Sequence, residues 1–430
     1  MTQRARRHIR QAILLTLVAA SSAVGQELPR AQPEALGMSS ARLAHIDSVM
    51  QRLVDSSRVA GVSVLVLRDG KVVKSGVYGW SDREARRPMQ GDALFRIASQ
   101  TKAITSVAVM MLVEEGKLQL GDPVDRFVPS FAHMKVATDT GDVPRRRAIY
   151  IGDLLTHSAG LSYGTDARVR ARYEAAGLGP AAGRGWYFAD KAEPICTTID
   201  RLGTLPLVAQ PGERFVYGYS TDVLGCVIER VSGMPLDVFF RERIFKQLNM
   251  EDSYFYVPTA QASRLAAVYS ASATGLQRAP NNAVGQGAYV LGPRASFAGG
   301  AGLVSSIQDY ARFLQMLLNG GELNGTRLLA PHTVALMTAD HLGSVYSVPG
   351  NRFGLGFEVL ESPALADRYG APGAFGWGGA YATSYWVDPA ERLVALIMTQ
   401  TLPSGGLDAA DRFRTIVYSS ILEASVPRNR

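Results

Sequence analysis

The chain has 430 residues, with 45 Lys and Arg against 38 Asp and Glu, for a formal net charge of +7. Residues 1–25 hold four arginines and no acid, so without them the charge falls from +7 to +3; no basic block with interleaved aromatics appears, and nucleic acid is not an expected partner. The length allows two domains, or one large core with an inserted domain, and no fixed-period repeat or low-complexity tract is visible.

Arg4, Arg6, Arg7 and Arg10 precede an apolar run from Ala12 to Ala20, which ends in the small residues Ala23-Val24-Gly25. This reads as a secretion signal over residues 1–25, cleaved before Gln26. The run is too short to span a membrane comfortably, and no cysteine follows it to carry a lipid. The expected location is secreted or periplasmic. Cys196 and Cys226 are the two cysteines. An oxidising compartment would allow them one disulfide, but sequence does not give the geometry, and two free buried thiols are an equal expectation.

From Leu43 to Val54 apolar residues keep a helical period. Gly61–Leu67 and Lys71–Tyr78 are strand-like and flank Asp69-Gly70, a hairpin signal. The stretch Phe95–Gly116 is predicted to hold a buried helix with Ser99 and Lys102 in its first turn, uncharged from Ala103 to Val113 and stopped at Gly116. Ile151–His157 reads as a short helix, and residues 162–195 as an irregular surface excursion. Residues 220–248 are helical with a break at Gly233-Met-Pro235. Residues 270–302 read as long loops near a cleft, and Ser306–Asn319 and Pro331–Thr338 as helices. Strands return at Phe353–Val359, Ala382–Val387 and Leu393–Thr399, before a last helix over about 408–422. The expected fold is therefore α/β (α+β). An antiparallel sheet is built from strands at both ends of the chain and flanked by helices, with a mainly helical domain inserted between. The expected division is 26–150 and 300–430 for the sheet domain and 151–299 for the insert.

The stretch around Ser99 carries the chemistry. Ser99 and Lys102 are three residues apart at the start of the buried helix, so their side chains share a face. An ammonium at such a place costs free energy unless it is paired or gives up its proton. A serine beside such an amine is a nucleophile with its base. Of the 45 basic residues only seven are lysines, and Lys102 alone has a serine three positions before it. The other 38 are arginines, which cannot serve as bases. Such a centre needs a proton shuttle, oxyanion donors and a wall against water. Tyr217, on a loop after Pro211-Gly212, is the candidate shuttle. Trp377-Gly378-Gly379 is the candidate wall, because paired glycines let a ligand or backbone come close.

These segments resemble the serine β-lactamase and penicillin-binding protein superfamily, on its class C-like and family VIII carboxylesterase side. Ser99-Gln-Thr-Lys102 matches Ser-x-x-Lys, Tyr217-Gly-Tyr219 stands where the family has Tyr-x-Asn, and Trp377-Gly-Gly379 stands where it has Lys-Thr-Gly. Leu154–Leu161, Pro211-Gly212 and Val223–Gly225 are also similar, and the likeness runs in order from about residue 35 to 425. The resemblance implies an acyl-enzyme on Ser99. Lys102 would be its base or would favour the phenolate of Tyr217, and Tyr217 would protonate the leaving group. The backbone N–H groups of Ser99 and Ala380 would form the oxyanion hole. Tyr219 in place of Asn and Trp377 in place of Lys remove an amide and a cation that would hold a β-lactam. They predict instead an aromatic mouth with Tyr219, Trp377, Gly378 and Gly379 as substrate contacts.

The expected function is a serine hydrolase of carboxylic esters, with a class C-like β-lactamase or D-Ala-D-Ala peptidase as the alternative. A catalytically silent acyl-binding protein is the reading from another class. The six histidines show no ligand spacing, so a metal site is not expected. No phosphate loop or other cofactor motif appears. His157 is expected to be structural. The expected partner is a small ester or amide, and the sequence does not speak to oligomeric state.

Overall fold

The computed structural model describes residues 28–178, 189–272, 275–282, 285–403 and 406–423. The expected signal, residues 1–25, lies outside them.

Eight strands form the main sheet: β1 (Gly61–Arg68), β2 (Lys71–Asp82), β3 (Arg87–Pro88), β4 (Asn351–Phe353), β5 (Glu358–Leu360), β6 (Phe375–Gly379), β7 (Thr383–Asp388) and β8 (Leu393–Met398). Their order is β4-β5-β6-β7-β8-β1-β2-β3, and every pairing is antiparallel. The first and last parts of the chain meet where β1 pairs with β8, with Ser63 opposite Met398 and Arg68 opposite Leu393.

Both faces of the central strands are buried, which explains their unbroken apolar runs. Successive side chains of a strand point to opposite faces. Leu65 and Leu67 of β1 join one apolar cluster, and Val62, Val64 and Val66 join another. The second cluster is covered by helix α1 (His45–Asp55), whose Ile46, Met50 and Leu53 form one stripe, and by Phe413 and Val417 of a C-terminal helix, Ala409–Ser419. The first cluster runs on through helix α2 (Thr101–Glu114) into Val223 and Val227 of helix Ser220–Ser232. The helices of 151–299 therefore share a continuous core with one face of the sheet.

Every residue of α2 from Thr101 to Leu112 is buried, as a helix apolar all round requires. Gly116 ends it with φ 68°, a conformation glycine adopts at little cost. Ser99 does not belong to the α-helix as expected. It lies in a 3-10 turn, Ala98–Gln100, that leads into it.

Three further segments differ from expectation. Phe353–Val359 is two strands, because Gly354 and Gly356 turn the chain between β4 and β5, Gly356 with φ 93°. Residues 270–302 are not all loop: Tyr269–Ser272 and Gly275–Arg278 form a hairpin that pairs with Thr401–Leu402. The excursion over 162–195 contains a helix, Arg170–Ala175, and its residues 179–188 lie outside the described ones. Cys196 and Cys226 are joined in a disulfide between helices Ile195–Leu202 and Ser220–Ser232, which settles the choice left open above.

Candidate active site

The strand Leu94–Arg96 delivers the chain to Ala98, which has φ 44°. That left-handed conformation costs a non-glycine residue about 1–3 kcal/mol, and such strain is held only where surrounding structure over-determines it. Here it is held by Ile97 N–H to the Leu303 carbonyl at 3.0 Å, Leu303 N–H to Thr101 Oγ1 at 3.1 Å, and Tyr310 O–H to the Gln100 carbonyl at 2.8 Å. The sharp turn leaves Ser99 half-buried and facing a cavity of about 550 Å³.

Lys102 is buried at 2% exposure, one 3-10 turn beyond Ser99, and residues three apart nearly eclipse in that geometry. Its Nζ donates to Ser99 Oγ at 3.2 Å, to Tyr163 OH at 3.1 Å and to the Gly300 carbonyl at 2.7 Å. The carbonyl only accepts, whereas the two hydroxyls can give or take a hydrogen. The same three contacts therefore serve either an ammonium or an amine whose lone pair receives the Ser99 hydrogen.

Tyr217 reaches the site differently. Val216 N–H donates to the His157 carbonyl at 2.7 Å, and Gly218 lies so close to Leu161 that an added Cβ would meet its carbonyl oxygen at 2.1 Å. The loop is thus pressed onto the segment 157–163. Tyr217 turns its ring face to Lys102 Nζ, 4.7 Å from the ring centre, and its hydroxyl accepts from Trp377 Nε1 at 3.2 Å. The hydrogen bond from Lys102 to a phenol goes to Tyr163 instead.

Tyr163 was not singled out by sequence, because 61 positions separate it from Lys102; its place two residues after Leu161 was the only signal. Burial, with Tyr217, Asp222 and Tyr219 around it, pushes its hydroxyl well above the usual phenol range. Tyr163 therefore stays a neutral phenol. Tyr217 lines the cavity beside Ser99.

Tyr219 corrects the sequence reading. It is 0% exposed, donates to the Leu178 carbonyl at 3.4 Å and packs edge-on to Tyr163 at 4.9 Å. As the residue that caps helix Ser220–Ser232, it is turned into the core behind the site and does not form its mouth. Trp377, Gly378, Gly379 and Ala380 do line the cavity, as does Tyr346. Phe353 meets Trp377 edge to face at 5.5 Å, which fixes the indole from behind. Gly379 is required by close approach: an added Cβ would lie 2.4 Å from the Ile97 carbonyl oxygen and 2.3 Å from Thr383 Oγ1. That contact brings Ala380 alongside the Ser99 turn.

Asp222 stands behind Lys102. It is 0% exposed, and its Oδ1 accepts from Gly300 N–H at 3.0 Å, on the residue whose carbonyl holds Lys102. Burial pushes its carboxyl up to about 6, against the opposing pull of Lys102 and the Gly300 N–H. An acid set directly before the apolar run Val223–Ile228 was the available sequence signal. His157 is also buried, and desolvation, then the charge of Lys102, hold it well below the usual imidazole range. It is a neutral ring packed 4.7 Å from the ring of Tyr217, in keeping with a structural part.

This arrangement can form and break an acyl bond at Ser99. The beta-lactamase family model matches residues 46–418. The chain belongs to the beta-lactamase family. Within that family it is 36% identical over 379 residues to protein Rv1367c of Mycobacterium tuberculosis, covering 84% of this chain and 90% of that one. It is 31% identical over 397 residues to esterase EstB of Burkholderia gladioli, covering 87% of this chain and 94% of that one. Among solved structures it is similar to EstCE1, a hydrolase with promiscuous acyltransferase activity. The TM-score is 0.76 at 30% identity, over 88% of this chain and 99% of that one.

Proposed function

We propose that this beta-lactamase family member is a serine hydrolase of carboxylic esters. The observation that carries the proposal is the 3.2 Å contact of Lys102 Nζ with Ser99 Oγ, beside a cavity whose near wall is the uncharged Trp377. Its likeness to EstB and EstCE1 supports the same reading.

Ser99 Oγ attacks the ester carbonyl while its proton passes to the Lys102 amine. The carbonyl oxygen becomes an oxyanion, which the backbone amides of Ser99 and Ala380 receive in this proposal. Tyr217 gives its proton to the departing alkoxide and recovers one from Lys102, so an alcohol leaves and an acyl-enzyme remains. Water then enters, loses a proton along the same path, and releases the acid with Ser99 restored. Tyr163 and Gly300 hold the lysine in place throughout. Trp377 offers no cation to a carboxylate beside the scissile bond, which favours an uncharged acyl group there over a penicillin.

Export belongs to this proposal. The basic and apolar character of residues 1–25 motivates it, and a disulfide between Cys196 and Cys226 suits an oxidising compartment.

The test is one panel on one preparation: p-nitrophenyl acetate and butyrate, a chromogenic cephalosporin and a D-amino-acid amide. Faster turnover of the esters is expected. Faster turnover of the cephalosporin or the amide replaces this proposal with the β-lactamase or peptidase alternative.

A further inference from the structure

The cavity at Ser99 does not end at the wall. β5 pairs only with Phe375 and Gly376 of β6, so among the described residues Trp377–Gly379 have a strand neighbour on the β7 side alone. Residues directly opposite in a pleated pair share a face. Gly376 is opposite Trp386 and Gly378 opposite Ser384, whereas Trp377 is opposite Tyr385. Trp377 packs on the Ser99 side against Tyr217, and Trp386 packs on the other side against Phe413 of the C-terminal helix. All of these except Phe413 line the one cavity. It therefore passes over the open edge of β6 into a second chamber.

That chamber holds two guanidinium groups and one carboxylate: Arg368, Arg414 and Glu358. Arg368 is 3.7 Å from Glu358 and donates to Asn351 Oδ1. Arg414 is half-buried, lies 4.2 Å over the Trp386 ring and donates to the Tyr369 carbonyl at 3.1 Å. A carbonyl and a ring face leave most of a guanidinium's five donors for something else. Two like charges close together in a half-buried chamber oppose one another, and an anion between them relieves that repulsion. Burial, then the neighbouring Arg368, push Arg414 down to about 10, against the opposing pull of Tyr418, Asp411 and Glu358.

We infer that the second chamber is an anion subsite, in which Arg368 and Arg414 receive a carboxylate carried by the substrate at a distance from the bond that is cut. The preferred substrate is then an acidic ester: uncharged where it meets Trp377 and anionic at its far end. This rests on the ester-hydrolase reading above and narrows it. The carboxylate is borne either by the acyl chain or by the alcohol, and paired esters distinguish the two.

Steady-state kinetics on the whole chain compare mono-p-nitrophenyl glutarate with p-nitrophenyl butyrate for the acyl side. For the alcohol side they compare 4-acetoxybenzoate with phenyl acetate. In one pair kcat/KM is expected to favour the acidic ester by about tenfold or more, as for a charged hydrogen bond. Arg414→Met and, separately, Arg368→Gln are expected to lower that ratio about tenfold through KM. Arg414→Lys recovers part of the loss, and added salt lowers the wild-type preference. If acidic and neutral esters are cleaved alike in both pairs, or the ratio is the same in the variants, the subsite does not exist while the ester reading stands. If no ester is cleaved, the ester reading itself is overturned, and this proposal with it.

Discussion

Lys102 Nζ lies 3.1 Å from the phenolic oxygen of Tyr163. A second phenol, Tyr217, lies with its ring facing the same nitrogen and its hydroxyl turned to Trp377. The two tyrosines therefore have separable parts: Tyr163 orients the lysine, and Tyr217, at the cavity, moves the proton. Tyr217→Phe is expected to lower kcat for p-nitrophenyl butyrate by about 10²–10⁴, the usual size of a lost acid–base group. Tyr163→Phe removes one hydrogen bond to a charged partner and is expected to cost roughly tenfold. Kinetics on both variants, with melting curves to confirm folding, check the order; a larger loss in Tyr163→Phe exchanges the two roles.

Gly379 is a second point of leverage. Its missing side chain lets β6 lie against the Ser99 turn, and an added methyl meets backbone oxygen of Ile97 that cannot swing away. Gly379→Ala is expected to shift Ala380 from the oxyanion position and lower kcat by about 10²–10³. Gly378→Ala is the control, because its Cβ would meet only the Thr383 carbonyl, at 3.2 Å. Equal losses in the two variants contradict the close-approach argument.

Asp222 makes a prediction about pH. Its folded carboxyl is raised to about 6 from an ordinary 3.8, so the folded state binds this proton more tightly than the unfolded chain does. Its contribution to stability is fully present below about pH 4 and is lost as pH rises through about 6. Asp222→Asn removes that slope, and melting temperatures at pH 4.5 and 7.5 in both proteins measure it.

The fold was legible where its cause is local. The β-rich apolar runs Gly61–Leu67 and Leu393–Thr399, the turn at Asp69-Gly70 and the stop at Gly116 each act within a few residues. Ser99 and Lys102 were legible for the same reason, since three positions along one turn bring them together whatever the rest of the chain does. Tyr217 and the Trp377–Gly379 wall depended on resemblance, because nothing near them in sequence says what they face. Tyr163, Asp222 and Gly300 were missed because each meets Lys102 or its support only through tertiary contact. Tyr219 was misplaced because its motif position implied a side chain toward the substrate, whereas the start of helix Ser220–Ser232 turns it inward. The second chamber with Arg368 and Arg414 follows from where β5 stops pairing with β6, which no residue pattern announces.

The central claim is that Ser99 is the nucleophile. It is tested most directly by intact mass and peptide mapping after incubation with a fluorophosphonate. The account predicts a single adduct, on the peptide containing Ser99, and none in Ser99→Ala, which also loses ester turnover. An adduct on another residue, or ester turnover that survives Ser99→Ala, contradicts it.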